Sequence, residues 1–354
     1  MSRFFSEKYN ALTPYTPGEQ PRERKFIKLN TNENPYPPSP LSVRYAAEAA
    51  ESLNLYSDIQ CTALTERLCE LYGIGKDEVL FTNGSDEALN FCFMAFCDAA
   101  HPAVFADITY GFYPVFAALN GIPYEEIPLA DDMSIRVEDY LGINKTIFIA
   151  NPNAPTGRAL PLADIERIIK SNPDSIVVID EAYVDFAEAS AVGLIRKYDN
   201  LVVTQTFSKS RSLAGGRLGM AIGNHSLMAD LNTIKFSTNP YNVSALTQAA
   251  GLGCLMDEAY TRKNIAEIIR CRGILTDGLR ANGFTVISSA TNFVFAKHES
   301  LSGEYIYTAL RERGILVRHF TLERIKDYNR ITVGTTDEVA AVIAAVKNIT
   351  EGTL

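Results

Sequence analysis

Short apolar runs that alternate with helical patterns over the first 240 residues constrain the fold more than any other feature of this chain. Runs of that length fit buried strands, whereas the stretches between them carry apolar residues at helical spacing. This alternation predicts an α/β fold in which a largely parallel sheet has helices on both faces. Ligands of such a sheet gather at the carboxyl ends of its strands. The expected strands are 78–82, 103–106, 146–150, 175–180, 201–204 and 220–222, and the expected helices are 62–71, 162–170, one from Asp86 and one after Gly111.

The two ends of the chain differ from this middle part. Residues 1–40 are rich in proline, asparagine and charge without periodicity, which predicts an extended N-terminal arm. The large domain is expected over 41–240. After that point, a long helix over 255–281 and a series of shorter elements predict a smaller α+β C-terminal domain over 241–354. Its shorter elements are expected at 284–287, 292–296, 315–318 and 331–333 for strands, and at 303–313 and 338–348 for helices.

Composition and charge exclude several classes of protein. The chain has 354 residues and a formal charge of -9, so we expect no nucleic-acid partner and no membrane partner. Six cysteines without paired spacing predict no disulfide framework, and the four histidines show no metal-binding spacing. A Rossmann fingerprint, a P-loop and a nucleophile elbow are all missing. The N-terminus lacks the apolar core of a signal peptide, so a cytoplasmic protein is expected.

A lysine stands just beyond a predicted strand, in a segment rich in hydroxyl residues and glycines. Lys209 follows the run 201–204 within residues 206–219, and Arg217 lies eight positions further on. These surroundings suit a lysine that holds an aldehyde cofactor through a Schiff base. The alternative is an ordinary surface lysine, which is the usual fate of a lysine in a loop.

The run 175–180 supplies what a pyridoxal phosphate ring needs in addition to that lysine. It ends in Asp180, and Tyr183 stands three positions beyond. A carboxylate keeps the ring nitrogen protonated so that the ring withdraws electrons, while the phenolic oxygen and the phosphate need partners of their own. The residues that can fill these roles, in chain order, are Asp180, Tyr183, Ser208, Lys209 and Arg217.

Further segments hold candidate ligands, each with an ordinary structural alternative. Residues 82–87 could place backbone N–H groups at a phosphate or form a capped helix start. Tyr110 could stack on a flat cofactor or belong to the core. Residues 151–157 form a turn with two prolines at the expected sheet edge. Arg318 and Arg330 could grip a carboxylate or phosphate, or make surface ion pairs.

Taken in order, these segments resemble the fold-type I pyridoxal-phosphate aminotransferases of class II over nearly the whole chain. The resemblance implies a large domain with a mostly parallel seven-stranded sheet, a smaller α+β C-terminal domain, and pyridoxal 5'-phosphate as cofactor. The segments that carry it are 29–35, 83–87, 109–111, 151–157, 180–183, 208–209, 217–219, 240–243 and 330–332.

The resemblance also implies a role for each matching residue. Lys209, Asp180 and Tyr183 would be catalytic, and the last would contact the phenolic oxygen of the cofactor. That contact would fall to Asn153 or Tyr183, since Ala154 stands where the family usually has an asparagine. The remaining cofactor ligands would be Gly84, Ser85, Tyr110, Ser208, Arg217 and, across a homodimer, Tyr56 of the partner subunit. The substrate would meet Tyr15, Asn34, Arg318 and Arg330.

Within the family, the resemblance is to the members that act on histidinol phosphate. It implies transamination between L-histidinol phosphate and 2-oxoglutarate, giving imidazole-acetol phosphate and glutamate in histidine biosynthesis. Three alternatives stay open: an aromatic or other amino acid as substrate, decarboxylation of threonine phosphate on the same fold, and a non-catalytic cofactor-binding domain of a transcription regulator. The last would need a basic helix-turn-helix segment, which residues 1–40 do not offer.

Overall fold

The computed structural model describes residues 2–10, 12–21 and 23–352. Met1, Ala11 and Arg22 of the predicted arm, and Thr353 and Leu354 of the predicted C-terminal domain, lie outside the described residues. None of the helices in the described ranges combines the length and apolar character that crossing a membrane requires. The helices are α1 (Pro40–Ala49), α2 (Thr62–Tyr72), α3 (Ser85–Phe96), α4 (Tyr113–Asn120), α5 (Leu162–Ser171), α6 (His225–Thr238), α7 (Ala245–Met256), α8 (Glu258–Arg280), α9 (Gly303–Glu312) and α10 (Thr336–Thr350). The strands are β1 (Ile27–Lys28), β2 (Val79–Thr82), β3 (Ala103–Ala106), β4 (Tyr124–Ile127), β5 (Thr146–Ala150), β6 (Val177–Asp180), β7 (Leu201–Thr206), β8 (Gly219–Gly223), β9 (Phe284–Ile287), β10 (Phe293–His298), β11 (Ile315–Leu316), β12 (Arg318–His319) and β13 (Tyr328–Thr332).

A seven-stranded, mostly parallel sheet confirms the predicted α/β fold. Its strand order is β2-β8-β7-β6-β5-β3-β4. Strands β4, β3, β5, β6 and β7 run parallel, whereas β8 pairs antiparallel with both β7 and β2. The carboxyl ends of every strand except β8 therefore lie at the same edge of the sheet.

Helices cover both faces of this sheet because successive side chains of a strand point to opposite sides. In β6, Val177 and Ile179 belong to one core, which also holds the apolar side chains of α2 and α5. Val178 belongs to a second core with the side chains of α3, α4 and α6. Burial on both faces explains why the central strands are continuous apolar runs in the sequence.

The C-terminal part has a core of its own and two smaller sheets. One sheet is antiparallel in the order β12-β13-β10-β9, and the other is the parallel pair β1-β11. The prediction of a single strand over 315–318 is wrong. Ile315 and Leu316 pair with the arm, whereas Arg318 pairs with β13. The segment divides because its consecutive residues have different partner strands.

The described residues of the arm lie against the C-terminal part. Besides the pairing of β1 with β11, Glu19 accepts a hydrogen bond from Tyr307 Oη at 2.8 Å and forms an ion pair with Arg311 at 3.1 Å. Arg24 donates to the carbonyls of Arg311 and Glu312. These contacts tie the arm to α9. The domain limits at residues 40 and 240 stay a prediction.

The predicted helix over 255–281 is confirmed by α8, which begins at Glu258 and ends at Arg280. Asp257 lies just before it with φ -118° and ψ 55°, and its side chain accepts the N–H of Tyr260 as a cap of α8. Sequence reasoning missed α1, α6, α7 and β4. Strand β4 is a mostly exposed edge strand whose Tyr-Glu-Glu-Ile sequence contains no apolar run.

Candidate active site

The carboxyl edge of the seven-stranded sheet borders a cavity of about 380 Å³. The loops that follow β2, β3, β5, β6 and β7 converge there because these strands run in the same direction. Of the residues predicted from the sequence, the cavity brings together Ser85, Tyr110, Asp180, Tyr183, Ser208, Lys209 and Arg217.

Asp180 ends β6 and is only 5% exposed. Tyr113 Oη donates to its Oδ2 at 2.9 Å, and the N–H of Ala182 donates to its Oδ1 at 3.2 Å. Burial raises the pKa of Asp180 to about 6, an effect that the hydrogen bond from Tyr113 opposes. A buried carboxylate with few partners favours a cationic group beside it, because the opposite charge offsets the cost of burial.

Lys209 enters the same cavity from the loop after β7. Its Nζ donates to the carbonyl of Thr31 at 3.2 Å. Asn34 Nδ2 donates to the carbonyls of Lys209 and Ser210, both at 3.0 Å. The structure therefore places Asn34, a predicted substrate ligand, on the backbone that carries the lysine, where its amide holds the loop in position.

One corner of the cavity gathers donors for an anion. The start of α3 lies so close to β8 that a Cβ on Gly219 would stand 2.3 Å from the nitrogen of Ser85, an approach that only glycine permits. Arg217 covers Gly84, since a Cβ there would stand 2.6 Å from Arg217 Nη2. The first N–H groups of α3, the guanidinium of Arg217 and the hydroxyl of Ser208 suit a phosphate group.

Tyr110 presents a neutral aromatic ring to the cavity. Its Oη donates to Asp86 Oδ1 at 2.6 Å, and Asp86 Oδ2 forms an ion pair with Arg217 at 3.1 Å. Burial raises the pKa of Tyr110 well above its ordinary value, and the neighbouring Asp86 carboxylate adds to the effect. The phenol therefore keeps its proton, and its flat ring suits the stacking role predicted for it.

The structure does not bring Asn153 to the cavity. Its Oδ1 accepts a hydrogen bond from Thr109 Oγ1 at 2.8 Å, and its Nδ2 donates to two further protein oxygens. The amide is therefore fully engaged within its own surroundings. Ala154 lines the cavity in its place and has no polar side-chain atom. Of the two candidates for the phenolic oxygen of a cofactor, only Tyr183 lines the cavity.

The two candidate arginines have different environments. Arg330 is half-buried, and its guanidinium lies over the aromatic rings of Phe293 and Phe320. Its Nη2 donates to the carbonyl of Asn30 at 3.2 Å, but its buried Nε has no partner among the described residues. Burial lowers the pKa of the Arg330 guanidinium, and no carboxylate in the described part of the chain pairs with it. Such an uncompensated buried cation is a site for an anion.

Arg318 instead holds the arm. Its guanidinium is exposed and donates to the carbonyls of Thr16 and Pro17 at 3.1 and 3.2 Å. Tyr15, which precedes Thr16 in the arm, stacks on Phe112 with ring centroids 4.2 Å apart. The sequence predicted that Arg318 would act beside Arg330 on the substrate, whereas the structure places it on backbone carbonyls that carry Tyr15 toward the cavity.

Tyr56 lies away from the cavity of its own chain. It is 83% exposed and stacks on Tyr241 with ring centroids 4.4 Å apart. Exposure is what a residue acting in the site of a second subunit requires. The role of Tyr56 across a homodimer stays a prediction.

The residues around the cavity fit pyridoxal phosphate. An amine, a carboxylate, a phenol and a set of anion donors meet in this cavity from several strand ends, and these are the partners that its aldehyde, ring nitrogen, phenolic oxygen and phosphate require. Gly84 and Gly219 leave room at the phosphate corner that a Cβ would fill. The donor set of this cavity is therefore complete for that cofactor within one chain, apart from any contribution of Tyr56.

Sequence reasoning missed residues whose roles depend on contacts between distant segments. Tyr113, which holds Asp180, is a buried aromatic residue at the start of α4 and carries no motif of its own. Asn32 donates to Tyr183 Oη at 2.8 Å across 151 positions of sequence. The only signal for Asn32 was its place in the segment 29–35, which supported the resemblance without indicating what the side chain does.

Comparisons with known proteins identify the family of this chain. The family model described as aminotransferase class I and II matches residues 24–346. A histidinol-phosphate aminotransferase of Marinomonas sp. (strain MWYL1) is 48% identical over 99% of this chain and 100% of that protein. One of Brachyspira hyodysenteriae is 45% identical over 99% of both chains. The solved histidinol-phosphate aminotransferase of Sinorhizobium meliloti in complex with pyridoxal-5'-phosphate has the same fold, with a TM-score of 0.90 and 22% identity over 99% of both chains.

The chain belongs to the class I and II aminotransferase family. It is therefore a pyridoxal-phosphate-dependent transferase, as the cavity's donor set requires. Within that family it stands among the histidinol-phosphate aminotransferases, since relatives of that name share 45 to 48% of its residues over nearly its full length.

Proposed function

We propose that this enzyme catalyses transamination between L-histidinol phosphate and 2-oxoglutarate, giving imidazole-acetol phosphate and glutamate in histidine biosynthesis. The observation that carries the proposal is that Lys209 and Asp180, which stand on different strand ends, line one cavity together with anion donors. The names of the similar proteins support the choice of histidinol phosphate.

The proposed roles of the residues follow from their positions. Bound pyridoxal phosphate supplies an electron sink that allows an amino group to move to and from a substrate carbon. Lys209 would anchor the cofactor and then act as the base that moves a proton at its Nζ. Asp180 would hold a proton on the ring nitrogen, and Tyr183 would donate to the phenolic oxygen. Tyr110 would stack on the ring, which excludes water from one face.

We propose Arg330 as the group that binds the anionic end of both substrates. A buried guanidinium with an unpartnered Nε can give charge-assisted hydrogen bonds to a carboxylate or phosphate. It interacts electrostatically with Tyr183 and Tyr110, whose side chains line the cavity. An anion bound there would therefore lie next to the reacting groups.

The active enzyme is proposed to be a homodimer in which Tyr56 of the partner subunit completes the phosphate site. Tyr56 stacks on the exposed Tyr241 and follows the exposed Leu53 and Leu55 in the chain, so these side chains offer a surface that a partner could cover. A cytoplasmic location stays a prediction.

A transamination panel with glutamate as the amino donor tests the proposed function. We expect imidazole-acetol phosphate to be the acceptor with the highest kcat/KM, with histidinol phosphate as the identified product. Higher kcat/KM for phenylpyruvate would favour an aromatic amino acid. Release of carbon dioxide from threonine phosphate would instead identify the decarboxylase alternative.

Replacing Arg330 by glutamine is expected to lower kcat/KM for both substrates by about 10²-fold, because hydrogen bonds to charged groups contribute on the order of 1.5 to 3 kcal/mol. Steady-state kinetics of each half-reaction would measure the change. Most of it should appear as a raised KM, since the anion is bound in the ground state as well as in the transition state.

Arg318→Gln is the matched control for that substitution. Its guanidinium is exposed, donates to backbone carbonyls of the arm and lies over the ring of Phe320, so we expect a loss below about tenfold. Equal losses in the two variants would contradict the assignment of the substrate anion to Arg330 alone and would restore the sequence-based pairing of both arginines.

A further inference from the structure

A chain of hydrogen bonds connects the C-terminal sheet to the phenol of Tyr183. On β13, Thr332 Oγ1 accepts the backbone N–H of Asn32 at 3.0 Å and donates to Asn32 Oδ1 at 3.0 Å. Asn32 Nδ2 then donates to Tyr183 Oη at 2.8 Å. All three side chains are buried or nearly so. The two parts of the molecule therefore meet through this chain directly beside the cavity.

The hydrogen bonds of this chain form one consistent directional pattern. A backbone N–H can only donate, so Thr332 Oγ1 accepts from Asn32, and its own proton goes to the Asn32 side chain. The oxygen of the Asn32 amide faces Thr332 and accepts that proton. The amide nitrogen consequently faces Tyr183, and the oxygen of the phenol receives a hydrogen bond.

This direction of hydrogen bonding leaves the proton of the Tyr183 hydroxyl without a protein acceptor among the described residues. Tyr183 Oη already accepts a hydrogen bond from Asn32, and its own proton finds no acceptor among the side chains and backbone groups that the structure describes. Because Tyr183 lines the cavity, that proton is available to a ligand there. The nearby charged groups are Lys209, whose Nζ lies 5.8 Å from the ring, Asp180 and Arg330.

We infer that Asn32 is a positioning residue that makes Tyr183 a hydrogen-bond donor to the cofactor's phenolic oxygen, under the control of Thr332 on β13. This inference rests on the proposed function, since it specifies how Tyr183 performs the role proposed for it. It also accounts for Ala154. With no amide at that position and with Asn153 outside the cavity lining, Tyr183 is the one of the two predicted candidates for this oxygen that lines the cavity, so the direction of its hydrogen bond matters more.

The backbone at Asn32 supports a specific requirement for this residue. Its φ of 57° lies in the left-handed region, which asparagine, aspartate and glycine tolerate better than other residues. Aspartate keeps the shape and the backbone conformation but has two acceptor oxygens instead of a donor. Asn32→Asp therefore reverses the polarity at Tyr183 with little change in volume, and the phenol would donate to the new carboxylate instead of into the cavity.

The experiment titrates the absorbance of bound pyridoxal phosphate against pH in the holoenzyme. A donor to an oxyanion favours the ionised form of the cofactor, so loss of the donor raises the pH midpoint of the absorbance change. We expect Asn32→Asp and Tyr183→Phe each to raise the midpoint by about one pH unit. In the double variant, Asn32→Asp should add little, because its effect passes through the phenol.

Thr332→Val and Ser289→Ala extend the test. Thr332→Val keeps the side-chain volume and removes the hydroxyl that orients the Asn32 amide, so a smaller shift in the same direction is expected even if Asn32→Asp fails to fold. Ser289→Ala removes a nearby hydroxyl that bonds Thr291 and the carbonyl of Phe293 but none of the three side chains of this hydrogen-bond chain, and it should leave the midpoint unchanged.

The possible outcomes separate the inference from the proposed function. If Tyr183→Phe shifts the midpoint but neither Asn32→Asp nor Thr332→Val does, the positioning role of Asn32 is overturned while the role of Tyr183 stands. A full additional shift from Asn32→Asp in the Tyr183→Phe background would overturn it as well. If Tyr183→Phe leaves the midpoint unchanged, the contact proposed for Tyr183 fails and the inference falls with it.

Discussion

Replacement of Lys209 by alanine is expected to lower the rate of transamination by about 10⁴-fold or more, because one side chain would lose both its covalent bond to the cofactor and its action as a base. The fold should persist, since Lys209 Nζ makes a single hydrogen bond, to the carbonyl of Thr31. The measurement combines product formation with the absorbance of the protein-bound cofactor, which should lose the band of the Schiff base. Turnover close to that of the unaltered enzyme would contradict the assignment.

Two further variants make this result specific. Lys326→Ala removes an exposed lysine that pairs with Glu323 and should leave turnover unchanged. Co-expression of Lys209→Ala with Tyr56→Ala tests the homodimer in the same assay. If sites are shared, a mixed dimer has one site with an intact Lys209 and an intact Tyr56 of the partner subunit, and part of the activity should return. Failure to recover any activity in an isolated mixed dimer would contradict the shared site.

Asp180→Asn is expected to lower kcat by about 10³-fold. The buried carboxylate would hold the positive charge of the ring nitrogen, and breaking a buried ion pair from one side costs roughly 4 kcal/mol. Asparagine has nearly the same shape, and its oxygen can accept the N–H of Ala182 while its NH2 donates to the hydroxyl of Tyr113, which then reverses its role. The loss would therefore report charge rather than packing. Single-turnover rates with each amino donor would measure it.

The same variant should be more stable than the unaltered protein when both lack the cofactor. Burial raises the pKa of Asp180 to about 6 from its ordinary value of 3.8, so the folded state binds the proton more tightly than the unfolded state. Stability then falls as the pH rises between about 4 and 6, and above this window the ionised group costs about 3 kcal/mol. Asparagine removes this cost.

Urea unfolding of the two cofactor-free proteins at several pH values tests this second effect. The midpoint of Asp180→Asn should be higher at pH 8, and the difference should disappear near pH 4. The neighbouring Glu181, whose pKa burial raises to about 7, is present in both proteins and cancels in the comparison. A variant that is less stable at pH 8 would mean that the carboxylate has compensation from groups other than those described.

The prediction of a mostly parallel sheet from the sequence was confirmed because burial on both faces leaves continuous apolar runs, which a reader of the chain can find. The ends of those runs also indicated Asp180 and Lys209. The ends of the strands and helices were less predictable where contacts with other segments decide them. Residues 315–318, an apolar run with an arginine at its end, predict one strand, yet β11 pairs with the arm and β12 pairs with β13. Asp257 caps α8, which therefore begins at Glu258 and not at the predicted residue 255.

In the candidate site, too, the sequence identified candidate residues but could not decide between them. Asn153 and Tyr183 were equally good candidates for one contact in the sequence, but hydrogen bonds within the turn engage Asn153 and leave Tyr183 at the cavity. Arg318 and Arg330 are both arginines beside apolar runs. Only the folded chain shows that the guanidinium of Arg318 binds carbonyls of the arm, whereas Arg330 has a buried Nε without a partner among the described residues.

The order of strands and helices, the chemical types at the strand ends and the family of this protein were determined by the sequence itself, because these depend on local patterns of burial and on short motifs. The tertiary structure decided which of those groups share the cavity and which way their protons point. Tyr113 on Asp180 and Thr332 on Asn32 are contacts between residues 67 and 300 positions apart. No local pattern encodes such contacts, since they arise only when the packing of two cores brings the segments together.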